Sequence, residues 1–457
     1  MDKATCIVVG AGPAGSACAL SLARKGIETV MLERGRIPGE KNVSSFVLFI
    51  KELKRLIPDC MDDLPLERNI IRTDQMILCD TDVKTITSYN YQNIKDPITF
   101  TAYRRKFDAW FAKKAADAGA ELITGMTVTD LIIDNGRVIG VKADDEELYA
   151  DVVVGADGYH SKVAQASGLN PELNPEYCML GVKEVLALPP EVINERFQLS
   201  DGLGAEMGLW NYNINNFKYG SGTLYTNTDS ISLGAFASVA FLKEKNIKLH
   251  EYLETLKQHP YVSALIQDST LREYQAHILS YGGRVEPDKL YGDGVLLCGE
   301  AGALVETFTG MGIPTCITSG MMAAETIEMA VKNKNFDSGM LKNYLKFLDS
   351  TSLLDIVYES QKEAAYWTGI GKDGFPADMK AVADTYNKAW SVDYMSKDYY
   401  PLMLNLYLKV GKHFMPKIFR WPINTGIKIS CLYSKVYEKI KSIIRNRFYE
   451  WKKQYDS

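Results

Sequence analysis

The first thing this 457-residue sequence lacks is any cysteine spacing that could hold a metal or a cluster. Its eight cysteines (Cys6, Cys18, Cys60, Cys79, Cys178, Cys298, Cys316 and Cys431) are scattered, with no CxxC among them. They read as reduced, mostly core thiols, and an iron–sulfur cluster carried by this chain is excluded. The five histidines (His160, His250, His259, His277 and His413) show no ligand spacing either, and each reads as an ordinary surface or core residue. No metal site is expected. No apolar run approaches the length of a membrane span. The N-terminus enters an apolar strand without a charged leader, which predicts a cytoplasmic protein with no signal peptide. There is no excess of basic charge: 52 Lys and Arg face 57 Asp and Glu, and nothing points to nucleic acid as a partner.

The charge is unevenly placed. From Leu408 onward twelve basic residues face three acidic ones, a net of +9 in a chain whose total is −5, so the residues before the tail carry −14. Such asymmetry suggests an anionic surface as a partner for the tail. Within it Leu432, Val436, Ile440, Ile443 and Trp451 lie near one helical face with basic residues interleaved. That pattern fits an amphipathic helix on an anionic membrane surface, and equally a helix docked on the acidic body or on another subunit. The segment 399–408 is apolar but too short to cross a bilayer.

The length predicts two or three subdomains, and a hydrophobic fraction of 46% supports a sizeable core. The most informative stretch is the first thirty-odd residues. An apolar strand, 6–9, runs into Gly10-x-Gly12-x-x-Gly15, a helix follows over 13–25, and a second strand ends in Glu33. Together these form a βαβ unit for a dinucleotide. Gly10 makes the tight turn, Gly12 lets the backbone approach a pyrophosphate, and Gly15 lets the helix pack on the strand. The helix start, with Pro13 and Ala14, holds the diphosphate, and Glu33 is placed to accept hydrogen bonds from a ribose.

The loop 34–46, punctuated by glycine and proline, is expected to run along the cofactor, with Arg34, Lys41, Asn42 and Val43 as cofactor-binding residues. A helix is expected over 47–57, then strands of a second, substrate-side sheet as far as residue 100. A helix is expected over 101–118, a strand from 121, and a hairpin of 127–133 with 138–142 around Asp134-Asn135-Gly136. A strand over 148–155 leads into Asp157 and Gly158. Short alternating strands over 167–284, with a helix near 249–256, predict an inserted antiparallel-sheet domain covering the cofactor. Gly202, Gly204 and Gly208 read as a turn rather than a nicotinamide site, for lack of a preceding apolar strand. The chain then returns with Gly299, Glu300 and Gly302, followed by Gly310, Gly312 and a long helix over 314–331 that presents its start to a ligand. Cys298 and Cys316, which flank this segment, read as small core residues.

Three separated stretches together resemble the flavoproteins of the glutathione-reductase type with a hydroxylase-like core. They are Gly10-x-Gly12-x-x-Gly15 with Glu33, Gly155-Ala156-Asp157-Gly158-x-x-Ser161, and Leu297-Cys298-Gly299-Glu300-Ala301 through Glu306 to Gly312. The resemblance covers residues 1 to about 330 and implies FAD as cofactor. Within that superfamily, Pro38-Gly39-Glu40-Lys41-Asn42-Val43-Ser44 and Tyr103-Arg104-x-x-Phe107-Asp108-x-Trp110 resemble the FixC branch. That branch is related to electron-transfer flavoprotein:quinone oxidoreductase and, more distantly, to geranylgeranyl reductases. The resemblance implies that Arg104 contacts the adenosine side of FAD and that Asp157 lies near its phosphate–ribityl region. It places Gly310 and Gly312 at the flavin N1/C2 carbonyl, where negative charge develops on reduction. Two departures stand out: Ser45 and Phe46 replace the family's glycine pair, and Glu300 replaces a common aspartate.

The expected architecture is therefore α/β. A Rossmann-like FAD-binding domain takes 1–166, with an excursion near 47–100, and the inserted sheet domain takes 167–284. An FAD-binding return follows over 285–335, and a helical C-terminal region over 336–457. The resemblance implies an oxidoreductase passing electrons between an electron-transfer flavoprotein or a separate ferredoxin-like subunit and a quinone or similar acceptor. The alternatives are a self-contained flavin enzyme, either an NAD(P)H-dependent hydroxylase or a reductase of isoprenoid-type double bonds, and a subunit with structural FAD. No side chain is singled out as an acid or base.

Overall fold

The computed structural model describes residues 3–42, 45–79, 81–90, 97–169, 178–211, 221–280, 285–306, 310, 312–358 and 360. In chain order the elements begin with β1 (Ala4–Val9), α1 (Pro13–Arg24), β2 (Thr29–Glu33), β3 (Ser45–Phe49), α2 (Lys51–Leu56), β4 (Leu66–Cys79), β5 (Asp82–Asn90) and β6 (Thr99–Tyr103). Then come α3 (Arg104–Asp117), β7 (Glu121–Thr124), β8 (Val128–Asp134), β9 (Arg137–Ala143), β10 (Glu146–Gly155) and α4 (Lys162–Ala166). The middle of the chain gives β11 (Cys178–Ala187), α5 (Pro190–Phe197), β12 (Leu203–Asn211), β13 (Ser221–Thr226), β14 (Ser230–Ser238), α6 (Val239–Lys245), α7 (Leu249–Gln258), α8 (Pro260–Ile266) and β15 (Thr270–Ser280). Last are β16 (Tyr291–Gly292), β17 (Val295–Leu297), α9 (Gly312–Asn333), α10 (Ser338–Leu341) and α11 (Asn343–Ser350).

The first sheet runs β16-β17-β10-β1-β2-β7. Its pairs from β17 to β7 are parallel, and β16 and the β8–β9 hairpin join antiparallel. Cys6, Ile7 and Val8 on β1 are fully buried, as expected of a central parallel strand covered on both faces. Helix α1 packs against α3 and α9, and the contact with α9 is backbone to backbone: a Cβ on Gly320 would fall on the Ala14 carbonyl.

The second sheet runs β15-β11-β14-β13-β12-β4-β6-β3, with β5 on the far side of β4. The strands within 178–280 pair antiparallel, as expected, and the sheet as a whole is mixed because β12 runs parallel to β4. The reason lies in its construction, because strands from the 47–100 excursion and from 178–280 complete a single sheet. A core of Leu209, Leu224, Leu233, Tyr252, Leu253 and Leu256 packs α7 onto its outer face.

Two local expectations differ from the structure. Residues 47–49 are strand, not helix, because Ser45–Phe49 pairs antiparallel with β6; the helix is confined to Lys51–Leu56 and stops ahead of Pro58. Likewise Thr101–Tyr103 ends a strand, and the helix begins only at Arg104; Thr99, Phe100 and Thr101 suit a pleated surface better than a helix start. In the glycine cluster Gly202 is a turn residue with φ of 73°, but Gly204 and Gly208 lie within β12. The predicted basic tail and the apolar 399–408 segment lie outside the described residues.

Candidate functional site

The strand-to-helix turn after β1 is held open by glycine. Gly10 has φ of 103°, and its N–H donates to the Leu32 carbonyl at 2.7 Å, locking the end of β1 to β2. A Cβ on Gly15 would collide with the Gly10 carbonyl, so α1 begins in backbone contact with the turn. Gly12, the residue capping α1, differs: its side chain position faces open space, with nothing within 4 Å, and no side chain caps the helix. The first amides of α1 are thus presented to an empty approach, as a pyrophosphate requires. Glu33, at the end of β2, accepts from Ala11 N at 3.0 Å and Gly35 N at 2.7 Å. Its carboxylate holds both loops and keeps further lone pairs for a hydroxyl.

Around this turn lies a cavity of about 1450 Å³. It brings together Gly10, Gly12, Pro13, Ala14, Glu33, Arg34, Lys41, Asn42, Arg104, Asp157, Gly158, Glu300, Gly310 and Gly312. Gly15 and Gly299 do not line it. Gly299 instead permits close packing, since a Cβ there would lie 2.8 Å from Ala14 Cβ and 3.3 Å from Cys316 Sγ. Val43 lies outside the described residues. Lys41 is exposed and its amine sits 3.8 Å from Glu40. Gly310 has φ of 76° and open space at its side chain position, the condition for close approach by a ligand at the start of α9.

The charged residues are tied to backbone or to one another. Asp157 accepts from Ser161 Oγ at 2.6 Å and Lys162 N at 2.6 Å, which fixes the start of α4; burial pushes its carboxyl up, and these bonds oppose the rise. Glu300 accepts from Ser280 N at 3.2 Å and is likewise pushed up by burial. Arg104 makes a two-pronged pair with Asp108, at 3.0 and 2.7 Å, and its guanidinium lies 5.8 Å from the Phe46 ring centroid. Asn42 Nδ2 donates to the same Asp108 at 3.2 Å, so the loop along the cavity is anchored on α3.

The cavity continues onto the inner face of the second sheet, through Gln75, Lys183, Glu206, Trp210, Tyr225 and His277. No motif in the sequence marks these residues as a group. One signal was available: Lys183 interrupts the apolar strand Cys178–Ala187. Lys183 Nζ donates to the Ser45 carbonyl and to Tyr225 Oη, each at 2.7 Å, and Ser45 Oγ also bonds Ser232 Oγ. Ser45, one of the two departures in the cofactor loop, is therefore the residue that fastens this loop to the second sheet. His277 and His160, read as ordinary, both line the cavity, and burial lowers His277 to about 4, with nearby Arg104 adding to the fall. Cys316 lines it too, its thiol pushed up to about 12 by burial.

Glycine turn, open helix start, acidic strand end and a second helix start facing one cavity fit a flavin dinucleotide. Residues 5–174 match the family model described as FAD dependent oxidoreductase, and with the relatives that follow this makes the chain an FAD-dependent oxidoreductase. It is 37% identical to Protein FixC of Salmonella typhi over 353 residues, covering 77% of this chain and 82% of that protein. Over 397 residues it is 32% identical to the probable electron transfer flavoprotein-quinone oxidoreductase YdiS of Escherichia coli, with 86% of this chain and 91% of that protein covered. Among solved structures, a geranylgeranyl bacteriochlorophyll reductase-like protein of Thermoplasma acidophilum shares the fold, with a TM-score of 0.70 at 19% identity over 90% of this chain and 98% of that one. The chain belongs to the FixC family.

Proposed function

We propose that the protein passes electrons between an electron-transfer flavoprotein or ferredoxin-like partner and a quinone or similar organic acceptor, with FAD as the relay. The observation that carries this reading is the single cavity, which extends beyond the glycine turns of the cofactor to a polar sheet face where a second molecule has room. Two further points support it: the names borne by the FixC and YdiS relatives, and the absence of cluster spacing among the eight cysteines, which calls for a partner to bring or remove electrons. In this reading 1–166 and 285–335 hold the cofactor in a glutathione-reductase-type arrangement, and 167–284 with the 47–100 excursion form the substrate side.

When bound, FAD supplies two-electron and one-electron redox chemistry. The chain does the rest. Gly12 and the first turn of α1 hold the pyrophosphate, Glu33 takes a ribose, and Arg104, fixed by Asp108, stands on the adenosine side. Gly310 and Gly312 present the start of α9 to the charge that develops on reduction. The basic tail brings the protein to an anionic membrane surface, where a lipid-soluble acceptor would be found.

Anaerobic stopped-flow absorbance of the holoprotein tests this reading. The expected result is fast bleaching of the flavin band by reduced electron-transfer flavoprotein or reduced ferredoxin, none by NAD(P)H, and retention on anionic liposomes at low salt. Bleaching by NAD(P)H alone would replace the reading with a self-contained flavin enzyme, and failure to float with liposomes would remove the membrane role.

A further inference from the structure

The sheet face that closes the cavity carries a row of side chains set apart from the glycine turns. Strand register sets Gln75, Gly208, Thr223, Gly234 and Lys183 side by side on β4, β12, β13, β14 and β11. The two glycines allow the outer residues to lie flat across the sheet. A Cβ on Gly208 would fall on the Gln75 amide, and one on Gly234 would lie 3.3 Å from Lys183 Cε. The row therefore has a flat floor, with a polar head leaning inward from each end.

Neither head is spent. Gln75 Oε1 accepts from Trp210 Nε1 at 2.8 Å, which fixes the amide orientation, and Gln75 Nε2 is left buried with no hydrogen-bond partner. Lys183 is buried and has no carboxylate partner among the described residues; its two bonds, to Ser45 O and Tyr225 Oη, leave one of three ammonium donors for the cavity. In the adjacent row Glu206, opposite Tyr225, buries Oε2 without a partner as well. Buried polar atoms without partners are rare in native proteins, and two of those among the described residues, Gln75 Nε2 and Glu206 Oε2, belong to residues that line this cavity. A ligand that accepts hydrogen bonds at both ends would satisfy Gln75 Nε2 and the remaining Lys183 donor.

We propose that this wall is the recognition site for a planar conjugated dicarbonyl ring of the benzoquinone class, with one carbonyl oxygen on Gln75 Nε2 and the other on Lys183 Nζ, and that Lys183 gives a proton to the oxygen it holds. This rests on the electron-transfer reading above and assigns the acceptor site that reading leaves open. An isoprenoid double bond has no acceptor atom for either donor and would leave both unsatisfied.

Reducing the ring to its hydroquinone takes two electrons and two protons. Two electrons and one proton come from the reduced flavin. The second proton leaves Lys183 Nζ: the N–H bond breaks as the ring O–H forms, and the neutral amine stays held by Tyr225 and Ser45 until solvent reprotonates it. The groups that bond, stack on or act electrostatically on Lys183 are Tyr225 on β13, Ser45 on β3, Phe236 on β14 and Arg104 on α3, while Glu206 on β12 and His277 on β15 line the same cavity. Burial pushes the Tyr225 phenol and the Glu206 carboxyl up, with Asp74 adding at Glu206, and lowers His277 to about 4. Lys183, lowered to about 7 by burial with Arg104 adding, is brought near neutrality. Because the ammonium is the competent form, ring reduction falls as pH rises through about 7.

The test uses holoprotein with matched flavin content in wild type, Gln75→Leu, Lys183→Met and Lys183→Arg. Equilibrium dialysis of a water-soluble benzoquinone against the oxidised protein reads binding without turnover. Reoxidation of the reduced flavin by the same benzoquinone, taken as a ratio to reoxidation by ferricenium, which accepts an electron and no proton, reads the proton step across pH 6 to 9. Gln75→Leu should weaken binding about tenfold. Lys183→Met should lower the ratio about 100-fold and abolish the step near pH 7. Lys183→Arg should keep binding but also lose the step, since arginine does not titrate there. A Lys183→Met protein that retains the ratio and its pH step overturns the proposal, as does a wild type that ferricenium oxidises but benzoquinone neither binds nor oxidises. The electron-transfer reading fails separately, if no protein donor reduces the flavin.

Discussion

Gly12 and Gly15 stand three residues apart and are glycine for different reasons. Gly15 is glycine because the protein itself fills the space: a Cβ would collide with the Gly10 carbonyl. At Gly12 a Cβ would meet no atom beyond its chain neighbours within 4 Å, so the fold itself leaves room for a side chain there. Gly12→Ala should therefore leave the thermal midpoint of the apoprotein nearly unchanged while weakening FAD at least about tenfold. Gly15→Ala should destabilise the apoprotein itself by about 1–3 kcal/mol. Differential scanning fluorimetry with an FAD titration separates the two, and a Gly12→Ala protein that binds FAD normally would remove the pyrophosphate from this turn. These glycines were legible in the sequence because local spacing fixes their roles. Lys183, Gln75 and Glu206 were not, because what distinguishes them is a burial and a missing partner that only strand pairing creates.

At the scale of elements, the first βαβ unit follows the sequence pattern closely, since β1, α1 and β2 are each set by neighbours in the chain. The misread elements are those whose state is decided at a distance. The apolar run 45–49 has no preference strong enough to resist pairing with β6, and Thr101–Tyr103 is strand for the same reason. The crossing of α1 and α9 is the element contact with most bearing on the site, because it sets the helix start at Gly12 relative to the one at Gly312. Gly320 makes that crossing possible. Gly320→Val should force the helices apart, lower the urea midpoint by an amount equivalent to about 1–3 kcal/mol at unchanged slope, and weaken FAD retention. An unchanged midpoint would mean that the helices do not meet at this glycine.

Across the whole molecule, the half of the cavity lined by the glycine turns could be foreseen and the sheet half could not. The former is built from three glycine-bearing stretches, each with its own local signature. The latter is built by register across five strands drawn from residues 66 to 238, with the parallel β12–β4 pair joining two parts of the chain. No local pattern announces that join. The central claim is that one cavity serves two molecules, FAD along the first sheet and an organic acceptor against the second. The most direct measurement is an experimental density map of the FAD-loaded protein. It should show the pyrophosphate at Gly12, a ribose at Glu33 and the flavin ring by Gly310 and Gly312, with the sheet face from Gln75 to Lys183 left free. Flavin density lying over that face, or an adenine seated against Lys183, would contradict the account.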